Sequence, residues 1–296
     1  MTHIVVLMTC HNRREKTLAS LAALYRNSLP AGTDLAVVLV DDGSTDGTGD
    51  AVAAGYPDVQ VVHGHGSLFW NGGMRLAWDT AQASFHDYVL WLNDDTLLDD
   101  DAIGRLLAAE SRLRRRLGRP AIVVGSTRAP GSAILSYGGR VRRNWLRPLH
   151  FDHIQPGEEP AECDTMDGNC VLVPREISLA LGNLEPRYVH AMGDTDYGLR
   201  AKAIGYSVWV MPGYSGTCVN DNPISGSFKD ASLPLGVRMR KMASPKGLPP
   251  RSWLVFTRRH GGMLWPLYWS WPYLGVVVTS LKYATLNAVA RGGRRA

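Results

Sequence analysis

With 296 residues, 45% hydrophobic and 20% charged, the chain has the composition of a globular protein and the length for one large domain or two modest ones, which excludes an intrinsically disordered chain. Thirty-two basic against 27 acidic residues leave a net +5. The surplus is local: Arg105, Arg112, Arg114, Arg115, Arg116 and Arg119 form one cluster, and Arg291, Arg294 and Arg295 another. Such clusters suit an anionic membrane surface or a phosphate-rich substrate, and the first suits a solvated helix face equally well. Cys10, Cys163, Cys170 and Cys218 form no metal-spaced pair, and the start "MTHIVVLMTCHN" is too short and polar-bounded for a signal peptide, which points to a reducing, cytoplasmic compartment.

In chain order, "HIVVLMTC" (3–10) is a continuous apolar run that stops at a polar cluster, the pattern of a buried strand. "REKTLASLAALYRN" repeats apolar residues at helical spacing, and "DLAVVLVDDGSTDGT" is a second buried strand ending in acids, glycines and hydroxyls. "GDAVAAGY" predicts a short helix, "DVQVVHGHG" a strand, "GGMRLAWDTAQAS" a helix, "DYVLWLNDD" a strand and "DDAIGRLLAAESRLRRRLG" a helix. This alternation implies βαβ units, hence an α/β domain with a mostly parallel sheet and helices on both faces. Ligands of such sheets sit at the carboxyl ends of the strands. Those ends carry Thr9, Cys10, His11 and Asn12; then Asp41 and Asp42; then His63 and His65; then Asn93, Asp94 and Asp95.

After residue 120 the regularity weakens. "AIVVGSTR", "AILSYGGRV" and "CVLVPREISLALG" predict strands and a helix of a second, mixed half, and "GDTDYGLRAKAIGYSVWVMPG" a helix and a strand. The division expected is one α/β domain over 1–219, with a regular half (1–120) and a mixed half (121–219). A loop-rich, proline-bearing connection over 220–252 and an aromatic tail would complete the 220–296 segment.

Asp41 and Asp42 stop a strand beside Gly43, Ser44 and Gly47, either to face a ligand or as plain turn chemistry. The "NDD" after "YVLWL" is more pointed, because carboxylates at a strand end can hold Mg²⁺ or Mn²⁺ together with substrate phosphates. Asp99, Asp100 and Asp101 precede the next helix, where caps and negative charge are favoured. Trp70, Asn71 and Arg75 are candidates for lining a ligand pocket, Trp70 also for the core. Asp167 and Asn169 lie in a turn before a strand.

Over residues 3–215 these motifs resemble the glycosyltransferases of family 2, with the GT-A fold: "VVLMTCHNR" is similar to their opening strand, "VDDGSTDGT" to their nucleotide motif, "NDD" to their D-x-D metal motif and "MGDTDYGLRAKAIGY" to the acidic helix start that supplies their base. The resemblance implies that Asp42, with Thr9 and Asn12, contacts base or ribose, that Asp95 binds the metal with Asp94 behind it, and that Asp194 is the catalytic base. It places Arg200 in support of that helix or of the acceptor side and diphosphate, and Asp167 and Asn169 on the acceptor side. Asn93 departs from the first acid of D-x-D, and Gly193 stands where Glu is common. Relatives take a third metal ligand from a histidine beyond the base; here Cys218 and His260 are the candidates.

The implied reaction is an inverting, metal-dependent transfer from a nucleotide-diphosphate sugar to a hydroxyl of a bacterial cell-surface polysaccharide or lipid-linked glycan. "GSLFWNGGMR" with a long C-terminal extension is most similar to rhamnosyltransferase-type members, which makes dTDP-rhamnose the first donor and UDP-galactofuranose the rival. From other classes, a metal-dependent nucleotidyltransferase would show a glycine-rich phosphate loop, which "TCHNRREK" is not, and a nucleotide-sugar-binding scaffold would leave Asp194 dispensable. No nucleic-acid partner is expected. "MLWPLYWSWPYLGVVVTSL" (263–281) lacks charge, and Pro266 and Pro272 are expected to break a helix there. With basic flanks, residues 263–290 read as an anchor on the inner face of the cytoplasmic membrane, or alternatively as a buried or oligomer-forming helix pair.

Overall fold

The computed structural model describes residues 1–82, 85–144, 147–220 and 224–292, with side chains through residue 286. The chain forms two units, Met1–Asn220 and Asp221–Ala296.

In the first unit the expected alternation is present. Strands β1 (Thr2–Cys10), β2 (Thr33–Asp41), β3 (Val59–His63) and β4 (Tyr88–Leu92) are joined by helices α1 (Arg14–Tyr25), α2 (Thr48–Gly55) and α3 (Phe69–Ala81). A two-residue β5 (Leu97–Leu98) leads into α4 (Ala102–Leu117) and β6 (Ala121–Arg128). Then come β7 (Leu135–Tyr137), β8 (Gly139–Arg142), β9 (Phe151–His153), β10 (Ala161–Cys163), β11 (Thr165–Met166) and β12 (Cys170–Pro174), followed by α5 (Arg175–Leu181), α6 (Gly193–Ala203) and β13 (Ser207–Thr217).

The main sheet runs β10-β13-β6-β12-β4-β1-β2-β3. β1 pairs in parallel with both β2 and β4, so the order reverses at the β1–β4 boundary, where open α/β sheets leave a crevice for ligands. β12 is antiparallel to β4, Cys170 facing Leu92, which brings the start of β12 to the rim where β4 ends. β13 is parallel to β6, and its C-terminal end reaches the same rim.

Side chains alternate between two cores, as the period of a strand demands. Ile4, Val6, Met8, Leu39 and Leu90 pack with Leu21 of α1, Val52 of α2 and Leu106 of α4. Val5, Leu7, Val40 and Trp91 pack on the other face with Met74 and Trp78 of α3, Ile177 of α5 and Tyr197 of α6. Both faces are thus covered by helices.

The arginine cluster on α4 is structural. Arg114 is paired with the buried Glu110 and with Glu176, Arg112 with Glu159, and Arg116 lies 4.4 Å over the Trp209 ring. Asp99, Asp100 and Asp101 precede α4 as expected, with Asp101 its N-cap residue. Asp101 makes no capping side-chain hydrogen bond; Asp99 takes a bidentate pair from Arg128 at 2.9 and 3.0 Å. Asp101 accepts from Arg105, and Asp100 lies 3.6 Å from Arg26.

In the second unit, the segment expected to be a loop contains α7 (Leu235–Ala243) and the first residues of α8 (Pro250–His260). Its prolines are helix starts: Pro234 is the N-cap of α7, Pro249 that of α8, and Pro250 opens α8, positions where a missing N–H costs nothing. Pro266 and Pro272 do not break the tail either, because α9 (Trp265–Gly292) runs through both. Pro266 lies in the first turn. Pro272 removes the hydrogen bond to the Tyr268 carbonyl, and the Trp253 indole N–H donates to that oxygen instead at 3.2 Å. Among the described residues no helix is long and apolar enough to cross a membrane.

Candidate active site

Arg13 spans the crevice between β1 and β4. Leaving β1, Arg13 donates Nη1 to Asp95 Oδ2 at 2.7 Å and to Asp94 Oδ1 at 3.3 Å, the two carboxylates leaving β4. Asp94 is 7% exposed; burial pushes its carboxyl up to about 7, Arg13 opposing and Asp95 adding to the effect. Asn93 is engaged on both sides: its Oδ1 accepts the Trp70 indole N–H at 2.7 Å, and its backbone N–H donates to the Asn169 carbonyl at 3.1 Å.

Cys218, just beyond β13, points its thiol at Asp95 Oδ1 over 3.4 Å and accepts from Asn169 Nδ2. Burial, then Asp95, pushes the thiol up to about 12, so it is a neutral, soft group and a poor ligand for Mg²⁺ or Mn²⁺. His260 belongs to α8 of the second unit, where its ring packs 4.9 Å from Phe256. Among the described residues no three His, Cys, Asp or Glu side chains gather as a metal cage. The Asp94 and Asp95 oxygens nevertheless fit a hard cation of the kind held by one or two carboxylates and completed by substrate phosphates.

The loops that leave β2 and β3 are organised by buried acids. Asp42 Oδ1 accepts the Gly66 N–H at 2.8 Å, and Oδ2 accepts those of Leu68 and Phe69 at 2.8 and 3.0 Å. Asp41 accepts from Ser44 and Gly49. The Asp42 carboxylate, expected to meet base or ribose, thus holds the loop between β3 and α3 in place. Gly43, at φ 65°, comes so close to Gly66 that a Cβ would meet the Gly66 nitrogen at 2.8 Å. Asn12, at φ 52°, accepts the Thr45 N–H at 2.7 Å and ties the β1 exit to the β2 exit. Thr9, expected beside the nucleotide, is buried with its side chain against Gly73 of α3.

Asp194 lies in the first turn of α6. Its Oδ1 accepts the Thr195 N–H at 2.6 Å and its Oδ2 the Gly168 N–H at 3.0 Å. Burial raises its pKa; Arg140 opposes this and Asp167 reinforces it. A carboxyl raised toward neutrality suits proton abstraction. Asp167 accepts from His153 Nε2 at 2.6 Å and from the Gly138 N–H, and pairs with Arg140 at 3.2 Å. Although burial pulls the other way, Arg140 and then His153 hold Asp167 below the usual carboxylate range. Residues 167–169 are thus the joint of the site, Gly168 bonded to Asp194 and Asn169 to Asn93 and Cys218.

Three of the residues expected near donor or acceptor are engaged within the protein. Asn71 is fully buried and donates to the Glu185 and Tyr188 carbonyls at 3.0 and 2.8 Å. Arg75 donates to the Leu184 carbonyl. Arg200 donates to Asp196 and to the carbonyls of Leu181 and Asn183, so it braces α6, one of the two expected roles. Trp70 packs beneath Gly168, where a Cβ would strike its ring. Gly193 replaces the expected Glu because a Cβ there would overlap Asn71 Oδ1. The non-glycine residues at positive φ, Asn12, Phe69 and Met192, flank these groups, as strained backbone commonly does at functional sites.

Sequence reasoning passed over Arg13, Arg140, His153 and Asp196. Asp196 and Arg200 had a signal, the acid–arginine spacing of four on a helix. So had Arg13, a cation just past a strand end on an acidic rim. Arg140 and His153 had none, since short strands far apart in sequence bring them together.

A model of the family described as Glycosyl transferase family 2 matches residues 5–177. The chain is 30% identical over 219 residues to N-acetylglucosaminyl-diphospho-decaprenol L-rhamnosyltransferase of Mycobacterium tuberculosis (strain ATCC 25618 / H37Rv), covering 66% of this chain and 68% of that protein. It is 26% identical over 239 residues to galactofuranosyltransferase GlfT2 of Mycolicibacterium smegmatis, covering 71% of this chain and 36% of that one. Among solved structures it is similar to the mannosyltransferase PcManGT from Pyrobaculum calidifontis in complex with GDP-Man and Mn²⁺. There the TM-score is 0.50 and the identity 18%, over 98% of this chain and 79% of the other.

Proposed function

The chain belongs to glycosyl transferase family 2, and from that premise we propose that this glycosyltransferase moves a sugar, with inversion, from a nucleotide-diphosphate donor to a hydroxyl of a lipid-linked glycan of the cell envelope. The observation that carries the reading is the rim at the β1–β4 switch point, where Asp94 and Asp95 face Arg13, and residues 167–169 join Asn93 to Asp194.

Asp95, with Asp94, would hold Mg²⁺ or Mn²⁺, which supplies charge neutralisation for the leaving diphosphate. Arg13 lies beside the acid pair and can add positive charge to the same group. Asp194, desolvated and oriented by Gly168 and Thr195, accepts the proton of the acceptor hydroxyl, a role typically worth roughly 10²–10⁴ in rate. A single displacement needs no covalent intermediate.

The rhamnosyltransferase relative favours dTDP-rhamnose and an acceptor whose sugar is carried on a diphospho-lipid; GlfT2 keeps UDP-galactofuranose as the rival donor. Work on a lipid-linked acceptor suits the second unit. Its only acids are Asp221 and Asp230, against twelve lysines and arginines. One stripe of α9 exposes Leu267, Trp271, Leu274, Val278 and Leu281. A basic surface with an apolar stripe fits the interface of an anionic membrane at the cytoplasmic face.

The test is a thermal-shift screen of nucleotide-sugars with and without Mn²⁺, followed by transfer assays with the donor found. Asp194→Asn should keep the donor shift and lose transfer. Unchanged turnover in that variant would remove the assignment of the base.

A further inference from the structure

The small second sheet, β11-β8-β9, bears the residues that touch the base's surroundings, and its outer end is strongly basic. In the β8–β9 register Arg140 faces His153 and Arg142 faces Phe151. These four side chains therefore share one face. The guanidinium carbons of Arg140 and Arg142 lie 5.9 and 5.8 Å from the Phe151 ring centroid. At one end of this face, Arg140 and His153 grip Asp167, next to the glycine bonded to Asp194.

At the other end positive charge is left over. Arg142 spends Nη1 on the Pro148 carbonyl at 2.9 Å, and its remaining nitrogens have no described partner. Arg147 is exposed, with no described side-chain partner. The nearby acids are already committed: Asp152 to Arg143 in a bidentate pair at 2.6 and 2.9 Å, Asp164 to Lys202 and the Arg142 backbone N–H.

We propose that this face is the acceptor platform, in which Phe151 supports the acceptor sugar and Arg142 and Arg147 bind the diphosphate that links that sugar to its lipid. This rests on the reading of the acceptor as a lipid-diphosphate-linked glycan, and it adds the place where the diphosphate sits. The geometry matches the order of groups in such a molecule: hydroxyl at the base, ring over Phe151, anion beyond the ring. Planar guanidinium groups suit phosphate oxygens through paired, charge-assisted hydrogen bonds.

The experiment titrates the full-length protein, with dTDP and Mn²⁺ present, against two soluble probes: N-acetylglucosamine on a short prenyl diphosphate and the neutral octyl glycoside of the same sugar. Wild type should prefer the diphosphate probe by about tenfold or more, since a hydrogen bond to a charged group is worth ~1.5–3 kcal/mol. Arg142→Gln/Arg147→Gln should abolish the preference while leaving affinity for the glycoside unchanged. Arg147→Gln alone, at an exposed position, should lose part of it, and Arg142→Lys should retain most. Equal binding of the two probes by wild type overturns the proposal. So does a preference that survives in the double variant, or one that disappears only in Asp95→Ala, which would put the diphosphate in the donor pocket. Failure of the donor screen would instead strike the functional reading, while a preference lost with the arginines would leave the anion site standing.

Discussion

Arg13 and Asp95 meet at 2.7 Å across the boundary between the two strands where the sheet order reverses, so one arginine stands as counter-ion to two carboxylates in the place a divalent cation would serve. Arg13→Gln should therefore leave the acid pair unneutralised. Breaking a fully buried pair costs about 3–5 kcal/mol, and the 39% exposure of Arg13 reduces this to roughly 1–3 kcal/mol through solvent screening. The expected outcome is a lower Tm without metal and a larger rise on adding Mn²⁺ than wild type shows. Equal Mn²⁺ shifts in both proteins would separate Arg13 from the metal site.

Asp194 is raised by burial and by Asp167 and lowered by Arg140. As the reactive form is the carboxylate, activity should fall as pH drops through its pKa. Asp167→Asn removes a neighbouring negative charge and should move the acid limb of kcat/KM to lower pH. Arg140→Gln removes the opposing cation and should move it to higher pH. Shifts in the same direction from both variants would contradict the electrostatic account.

Gly193 and Asn71 compete for one volume. Gly193→Ala should destabilise by about 1–3 kcal/mol, as overpacking does. Asn71→Ala loses two hydrogen bonds worth about 1 kcal/mol each. The double variant should cost less than the sum in urea unfolding, because the second change makes room for the first. Strict additivity would show that the two sites do not touch.

The parallel half of the fold was legible because each strand is a short apolar run with a polar stop, and the stops mark the rim: Asp94, Asp95 and Asp194 reach the site from motifs visible in one dimension. Side-chain direction was not legible. Thr9, Asn71 and Arg75 lie in the right segments, but Thr9 and Asn71 are buried and Arg75 is spent on a carbonyl, and neither helical spacing nor motif order says which way a polar residue at a strand end or helix start will turn. The prolines of the second unit misled for a related reason. A proline's meaning depends on whether its N–H is needed, and Trp253 supplies a donor to the carbonyl that Pro272 leaves free.

Asp196 lies fully buried between Arg200 at 2.8 Å and the Tyr188 hydroxyl at 3.1 Å, two residues beyond the base. Asp196→Ala strands the Arg200 charge and should cost about 3–5 kcal/mol in denaturant unfolding. At a temperature where the variant is folded, its pH profile should match wild type, because Asp196 positions α6 and does not exchange protons with substrate. A displaced profile would place it in the proton chemistry.

On α9 the exposed apolar side chains recur at alternating steps of three and four, with Trp271 72% exposed at the centre, while the other face is held by Tyr273 on the Leu248 carbonyl and Arg238 on that of Val276. Leu267→Glu and Leu274→Glu change only the exposed stripe, so the fold of the second unit should survive with little change in Tm. Each removes an apolar group worth roughly 1.5–3 kcal/mol when fully buried in lipid, and adds a charge that anionic headgroups repel. Co-sedimentation with vesicles containing phosphatidylglycerol should weaken by about tenfold or more per substitution, and wild-type binding should itself decline as salt screens the basic surface. If both variants sediment like wild type while their self-association in ultracentrifugation falls, the stripe is the contact between two copies of the chain and not its seat on the membrane.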